Sequence, residues 1–133
     1  MSTVFTWNIR VYYEDTDAGG VVYYANYLKF FERARTEWLR SAGVSRHEME
    51  TTFGAIFVVK SAAVDYHRAA KLDDELKLVF AIKKMGRASI QFHQEVWRGP
   101  ELLTTGLVKI ACVDTQTLRP CPIPEEVWSK LNA

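Results

Sequence analysis

One helix-like segment limits what this chain can fold into. From Asn26 to about Ala42, the apolar residues Tyr27, Leu28, Phe30, Phe31, Ala34, Trp38, Leu39 and Ala42 recur at helical spacing over a wide arc. Lys29, Glu32, Arg33, Arg35, Glu37 and Arg40 are expected on the other face. Asn26 or a residue just before it can cap the start, and Gly43 can end it in a left-handed turn. An arc this wide must be covered over much of its circumference.

The rest of the chain reads almost entirely as strand, and that is what can cover it. Val4 to Tyr13 is rich in β-branched and aromatic residues and predicts a first strand. Ser45 can cap a short second helix through about Thr52. Ala55–Tyr66 is an apolar, β-branched run. Leu76, Leu78, Phe80 and Ile82 alternate with Lys77, Val79, Ala81 and Lys83. Ile90, Phe92 and Val96 alternate with Gln91, His93, Glu95 and Trp97, and Leu107–Val113 is a further strand. Met85-Gly86 and Arg98-Gly99-Pro100 are short turns, so neighbouring strands should be antiparallel hairpins. Pro124 to Leu131 predicts a closing helix. One strand, one apolar helix and four more strands give an α+β protein, with a curved antiparallel sheet wrapped around the helix.

The 133 residues suit one domain, with enough length to bury a core without a metal or disulfide staple. A net charge of +1 argues against a general role on nucleic acid or at a membrane surface. Two cysteines, Cys112 and Cys121, make no disulfide framework; a reducing cytoplasm fits them, with Cys112 buried and inert in its strand. The start of the chain lacks a basic segment leading into an apolar core, so no signal peptide is expected. No apolar run approaches the ~20 residues that span a bilayer.

Chemistry concentrates between the first strand and the long helix. Glu14, Asp15 and Asp17 stand before Gly19-Gly20 and the aromatic residues Tyr23, Tyr24 and Tyr27. Glycines allow backbone N–H groups to approach a ligand, and a helix start directs its positive end there. A carboxylate beside such amides can act as base or nucleophile on the group they polarise. If the strand continued through this loop, Asp15 and Asp17 would share a face and Glu14 would oppose them. Acidic residues before a helix also complement its dipole without further function. Asp15-Thr16-Asp17 is similar to the Asp-x-Asp of magnesium-dependent phosphate-transfer enzymes, but the hairpin pattern contradicts the parallel core they need. His47, His67 and His93 lack zinc-site spacing, and no metal site is expected. Lys60, Arg68, Lys71, Lys83, Lys84 and Arg87 lie near strand ends; singly they suit a solvated rim, and together they could bind the phosphates of a large anionic ligand.

The stretch from Arg10 through Tyr24, followed by Asn26-Tyr27, resembles the signature of the hydroxybenzoyl-CoA thioesterase family of hot-dog-fold proteins. Within that family the chain resembles the Tol–Pal-associated acyl-CoA thioesterases. The likeness continues through Phe31-Glu32-Arg33-Ala34-Arg35-Thr36-Glu37, Phe57-Val58-Val59, Asp65-Tyr66 and Leu72-Asp73-Asp74, and so covers nearly the whole chain, 1–133. It implies a helix wrapped by a five-stranded antiparallel sheet, and dimers, often paired into tetramers, with active sites between subunits. It implies that Asp17 attacks the thioester or activates water, and that the Tyr24 N–H holds the thioester oxygen. Glu14 and Asp15 would then position the loop. Tyr23, Lys60, Arg87 and Ser89 are expected to contact substrate. The Tol–Pal-associated group commonly has His after the residue matching Tyr23; this chain has Tyr24, as the hydroxybenzoyl-CoA branch can. A backbone role survives that change and a histidine side-chain role does not.

The expected function is hydrolysis of acyl-CoA, with a short aliphatic or aromatic acyl group, to free acid and coenzyme A. No cofactor is needed beyond the coenzyme A carried by the substrate. The expected partners are other copies of the chain and, through the resemblance, envelope-system or lipid-synthesis proteins. The alternative is a non-hydrolytic acyl-CoA-binding or envelope-associated scaffold protein, which would bind acyl-CoA without releasing thiol.

Overall fold

The computed structural model describes residues 4–132. Strand β1 (Val4–Arg10) precedes helix α1 (Asn26–Ser41). After α1 come the short helix α2 (Arg46–Glu48) and a π-helical turn over Met49–Phe53. Strands β2 (Ala55–Tyr66), β3 (Glu75–Met85), β4 (Ser89–Arg98) and β5 (Glu101–Asp114) follow, and helix α3 (Glu125–Leu131) closes the chain. The strands form one sheet in the order β1-β3-β4-β5-β2, antiparallel at every pairing. This is the hot-dog arrangement: one long helix against one curved antiparallel sheet.

The alternation read from the sequence sets the core. Leu76, Leu78 and Phe80 of β3 and Ile90, Phe92 and Val96 of β4 are buried under Phe30, Phe31, Ala34 and Trp38 of α1. Trp38 packs edge-on against Phe80 at 5.5 Å and Phe92 at 5.4 Å between ring centres, and those two rings stack at 5.2 Å. Edge-on and offset contacts suit the charge distribution of aromatic rings and add to their burial. At Gly106 of β5 the fit is tightest. A Cβ there would lie 2.7 Å from Cε2 of Phe31, so only glycine lets the helix come this close.

Several sequence expectations need correction. Strand β1 ends at Arg10, because Val11 donates instead to the Asp74 carbonyl and residues Tyr13–Asp15 wind into a 3-10 turn. The alternation expected for Asp15 and Asp17 is therefore lost: Asp15 is buried and Asp17 is exposed. Asn26 does not cap α1. Ala25 occupies that position without a side-chain bond, and the Asn26 amide turns back to Asp15. Leu28, expected inside, is exposed, while Arg35, expected outside, is buried. Arg35 donates to Oε1 of Gln94 at 2.8 Å, and the Gln94 amide donates to the Phe31 carbonyl at 3.2 Å. Burial pulls the Arg35 guanidinium down to about 10, against the opposing pull of Glu32. Strand β5 begins six residues earlier than expected, and it pairs with β4 from Glu101 and with β2 from Thr104. Gly43, at φ 82°, ends α1 as expected, and Ser45 accepts from the Glu48 N–H.

Candidate active site

The loop between β1 and α1 is a small closed structure. Asp17 N–H donates to the Val21 carbonyl at 2.9 Å, Gly20 N–H to the Asp17 carbonyl at 3.0 Å, and Tyr23 N–H to the Asp15 carbonyl at 3.1 Å. Thr16 and Val22 form an antiparallel bridge. Residues 15–17 are thereby held beside residues 21–23. Gly20 sits at φ 80°, a conformation that glycine alone adopts without strain. The loop is fastened to the turn after β2 by Val22 N–H to the Ala70 carbonyl at 2.8 Å and by the Val21–Lys71 bridge. The Tyr27 hydroxyl accepts from Ala70 N–H on the same seam.

The two aspartates have opposite situations. Asp15 accepts the Tyr12 N–H on Oδ2 and the Asn26 amide on Oδ1, both at 2.9 Å, which ties the loop to the first turn of α1. Both oxygens of this buried carboxylate are occupied, so it holds structure. Asp17 accepts one bond, from Gly19 N–H to Oδ1 at 2.8 Å, and its Oδ2 accepts none among the described residues. It is the carboxylate free to meet a reactant. Glu14 is exposed on the 3-10 turn.

At the start of α1, Tyr24 N–H donates to no group among the described residues. Such unpaired amides at a helix start are ready donors to an oxyanion. The Tyr24 carbonyl is held by the Tyr66 hydroxyl at 3.0 Å, from the end of β2. Burial, then Tyr27 and Tyr24, push the Tyr66 phenol up, so it remains a protonated donor. Around this point Tyr23, Tyr24, Tyr27 and Tyr66 form a continuous aromatic wall, with neighbouring ring centres 4.8–6.2 Å apart. The sequence shows Tyr66 only as a strand end and gives its hydroxyl no role, because its partner lies 42 residues away. Likewise nothing local marks Asn26 as the partner of Asp15.

Of the remaining candidates, Tyr23 joins this group beside Tyr24, half exposed, while Ser89, Arg87 and Lys60 do not join it within one chain. Ser89 begins β4, and Arg87 lies in the turn just before it, at the opposite end of the sheet. Tyr66 is opposite Thr104, which is opposite Val96; Ser89 is seven strand steps from Val96, about 23 Å away at the usual rise. Lys60 is exposed at the irregularity between Val59 and Ser61 on β2. A groove of about 880 Å³ runs between the second half of α1 and the first half of β2, lined by Arg35, Leu39, Phe57 and Val59 among others. Among the described residues no group of three or more His, Cys, Asp or Glu is placed to hold a metal ion. The antiparallel sheet also contradicts the magnesium phosphohydrolase reading of Asp15-Thr16-Asp17, which requires parallel strands.

A long helix against an antiparallel sheet, preceded by a loop with a carboxylate oxygen left unbonded and starting with unpaired amides, defines a thioesterase-like hot-dog protein. Residues 11–131 match the model of the thioesterase-like superfamily, and the chain belongs to that family. It is 47% identical over 123 residues to the acyl-CoA thioesterase YbgC of Haemophilus influenzae, covering 92% of this chain and 90% of that one. It is 42% identical over 132 residues to the acyl-CoA thioester hydrolase YbgC of Escherichia coli, covering 98% of each. Among solved structures, a probable thioesterase from Bartonella henselae superimposes with a TM-score of 0.86 at 32% identity, covering 92% of this chain and 100% of that one.

Proposed function

We propose that this protein hydrolyses acyl-CoA thioesters, with Asp17 as the reacting carboxylate and the Tyr24 N–H as the oxyanion donor. The observation that carries this reading is that one loop carries both an Asp17 oxygen free of hydrogen bonds among the described residues and, seven residues on at the start of α1, an unpartnered amide. The names of relatives at 42–47% identity, acyl-CoA thioesterase and acyl-CoA thioester hydrolase, support it. The thioester carbonyl accepts from Tyr24 N–H, and charge developing on that oxygen is stabilised there. One such donor is typically worth about 3 kcal/mol in the transition state. Asp17 then either attacks the carbonyl carbon or deprotonates the water that does. Coenzyme A leaves as the thiol. The aromatic wall of Tyr23, Tyr24 and Tyr66 borders the acyl group, which suits short aliphatic or aromatic acids.

A second copy of the chain completes the site. Strand β2 is a 12-residue sheet edge with Val58, Val59 and Tyr66 exposed. A long apolar edge of this kind invites pairing with another strand. Antiparallel pairing of two β2 edges would bring the Arg87 and Ser89 end of one chain toward the Asp17 end of the other, with Lys60 near the middle of the seam, and cover the groove beside β2. The basic residues would then meet the phosphates of coenzyme A. The resemblance to the Tol–Pal-associated group supports a dimer or pair of dimers with envelope-system or lipid-synthesis proteins as partners, and the two unbridged cysteines suit a cytoplasmic protein. No helix among the described residues is long and apolar enough to cross a membrane.

The test is a panel of aliphatic and aromatic acyl-CoAs assayed for thiol release. Turnover of at least one short-chain or aromatic member is expected. Saturable binding without thiol release would instead assign the chain as an acyl-CoA binder.

A further inference from the structure

Away from the hydrolytic site, the chain brings its two cysteines together. After β5 the backbone turns at Asp114, whose carboxylate accepts Gln116 N–H and Thr117 N–H, and returns antiparallel to its own strand. Asp114 N–H donates to the Arg119 carbonyl, Val113 and Pro120 form a bridge, and Cys121 N–H donates to the Cys112 carbonyl at 2.9 Å. One residue beyond that bridge on each strand, Cys112 and Cys121 therefore face each other. Their Sγ atoms are 3.5 Å apart. Pro120 and Pro122 restrict the backbone on both sides of Cys121, so the approach is built into a stiff segment.

We propose that Cys112 and Cys121 are an oxidisable dithiol that closes to an intramolecular disulfide on reaction with hydrogen peroxide. The sulfurs need to approach by about 1.5 Å to reach bonding distance. The two thiols differ in a way that assigns their parts. Cys121 is half-buried and can be reached from solvent, whereas Cys112 is fully buried. Burial, with Cys121 beside it, pushes the Cys112 thiol up to about 12 and keeps it protonated. Cys121, as thiolate, attacks one oxygen of the peroxide; the O–O bond breaks, hydroxide leaves, and Cys121 becomes a sulfenic acid. The Cys112 sulfur then attacks the Cys121 sulfur. The S–O bond breaks, and the Cys112 proton passes to the departing oxygen as water. In total two thiols lose two electrons and one peroxide is reduced to two waters. The disulfide would fasten the segment leading to α3 onto β5. That segment already braces the turn before β4 through Ile123 N–H to the Arg87 carbonyl at 2.7 Å, next to the bond from Cys112 N–H of β5 to the Ala88 carbonyl at 2.8 Å.

The experiment oxidises the purified, folded full chain with hydrogen peroxide and reads intact mass, free thiols and peptide linkage. The expected product has the mass of one chain less two hydrogens, loses both thiols together, and links the Cys112 and Cys121 peptides until dithiothreitol is added. In Cys121→Ser the Cys112 thiol should survive the same treatment. In Cys112→Ser the Cys121 sulfenic acid should persist and be trapped by dimedone. Three results would overturn the proposal: a sulfinic acid on Cys121 with Cys112 still free, a disulfide between two chains, or no thiol loss at a peroxide dose that oxidises the unfolded chain. Each readout is independent of thioesterase activity.

Discussion

Asp17 and Asp15 are two residues apart and have the same side chain, yet their surroundings differ. Asp15 has both oxygens occupied by Tyr12 N–H and the Asn26 amide, whereas Asp17 keeps one free. Asp17→Asn should therefore lower kcat by ~10²-fold or more with the fold intact, since general-base catalysis alone contributes about 10²–10⁴-fold. Steady-state kinetics beside circular dichroism checks this, and near wild-type turnover would remove Asp17 from the chemistry. Tyr24 separates backbone from side chain. Tyr24→Phe should keep turnover within about tenfold, a barrier change of ~1.4 kcal/mol. Tyr24→Pro deletes the N–H and should lose about 10²-fold or more, judged on a variant whose circular dichroism matches the parent. The loop and helix start that carry both residues were legible in the sequence because the motif is contiguous, while the roles proposed for them come from the family resemblance. Arg35 was not legible. Helical spacing put it with the other charged residues, and its reason for turning inward, Gln94, lies 59 residues on and in another element.

At the scale of elements, β3 and β4 were legible from alternation, because one face meets α1 and the other does not. The first half of β5 was hidden. Its Thr104-Thr105-Gly106 stretch carries little hydrophobic signal, since the large side chain filling that space is Phe31 from the helix. Gly106→Ala tests this contact. The added methyl meets the buried Phe31 ring at 2.7 Å, so ring or helix must give, and overpacking of this sort costs about 1–3 kcal/mol. A thermal unfolding midpoint lowered by several degrees is expected; an unchanged midpoint would show that the helix can shift. The turn before β3 supplies a pH test. Asp74 accepts from Arg98 at 2.7 Å and from Lys71 N–H at 2.9 Å. Burial pushes its carboxyl up, but Arg98 and the Lys71 amide outweigh this and hold it below the ordinary carboxylate range. A carboxylate depressed on folding stabilises the protein above its unfolded pKa, ~3.9, and that stability is lost as pH falls through the folded value. Asp74→Asn should lower stability at pH 7 by about 1 kcal/mol or less, as near-surface pairs do, and flatten its loss below about pH 4. Urea midpoints measured across pH report both.

For the molecule as a whole, the sequence indicated a helix in need of cover but not where each candidate would fall on the sheet. Asp17 and Tyr24 stand at one end with Tyr66, while Arg87 and Ser89 stand at the other. That division has a genetic consequence. If each site takes Asp17 from one chain and Arg87 from its partner, Asp17→Asn and Arg87→Ala damage both sites of a homodimer. In a mixed dimer, one site inherits both lesions and the other inherits none. Two defective preparations, unfolded together and refolded in equal amounts, should regain about one quarter of wild-type sites, as random two-fold assortment requires. A plain average of the two parents' activities would mean that each chain works alone.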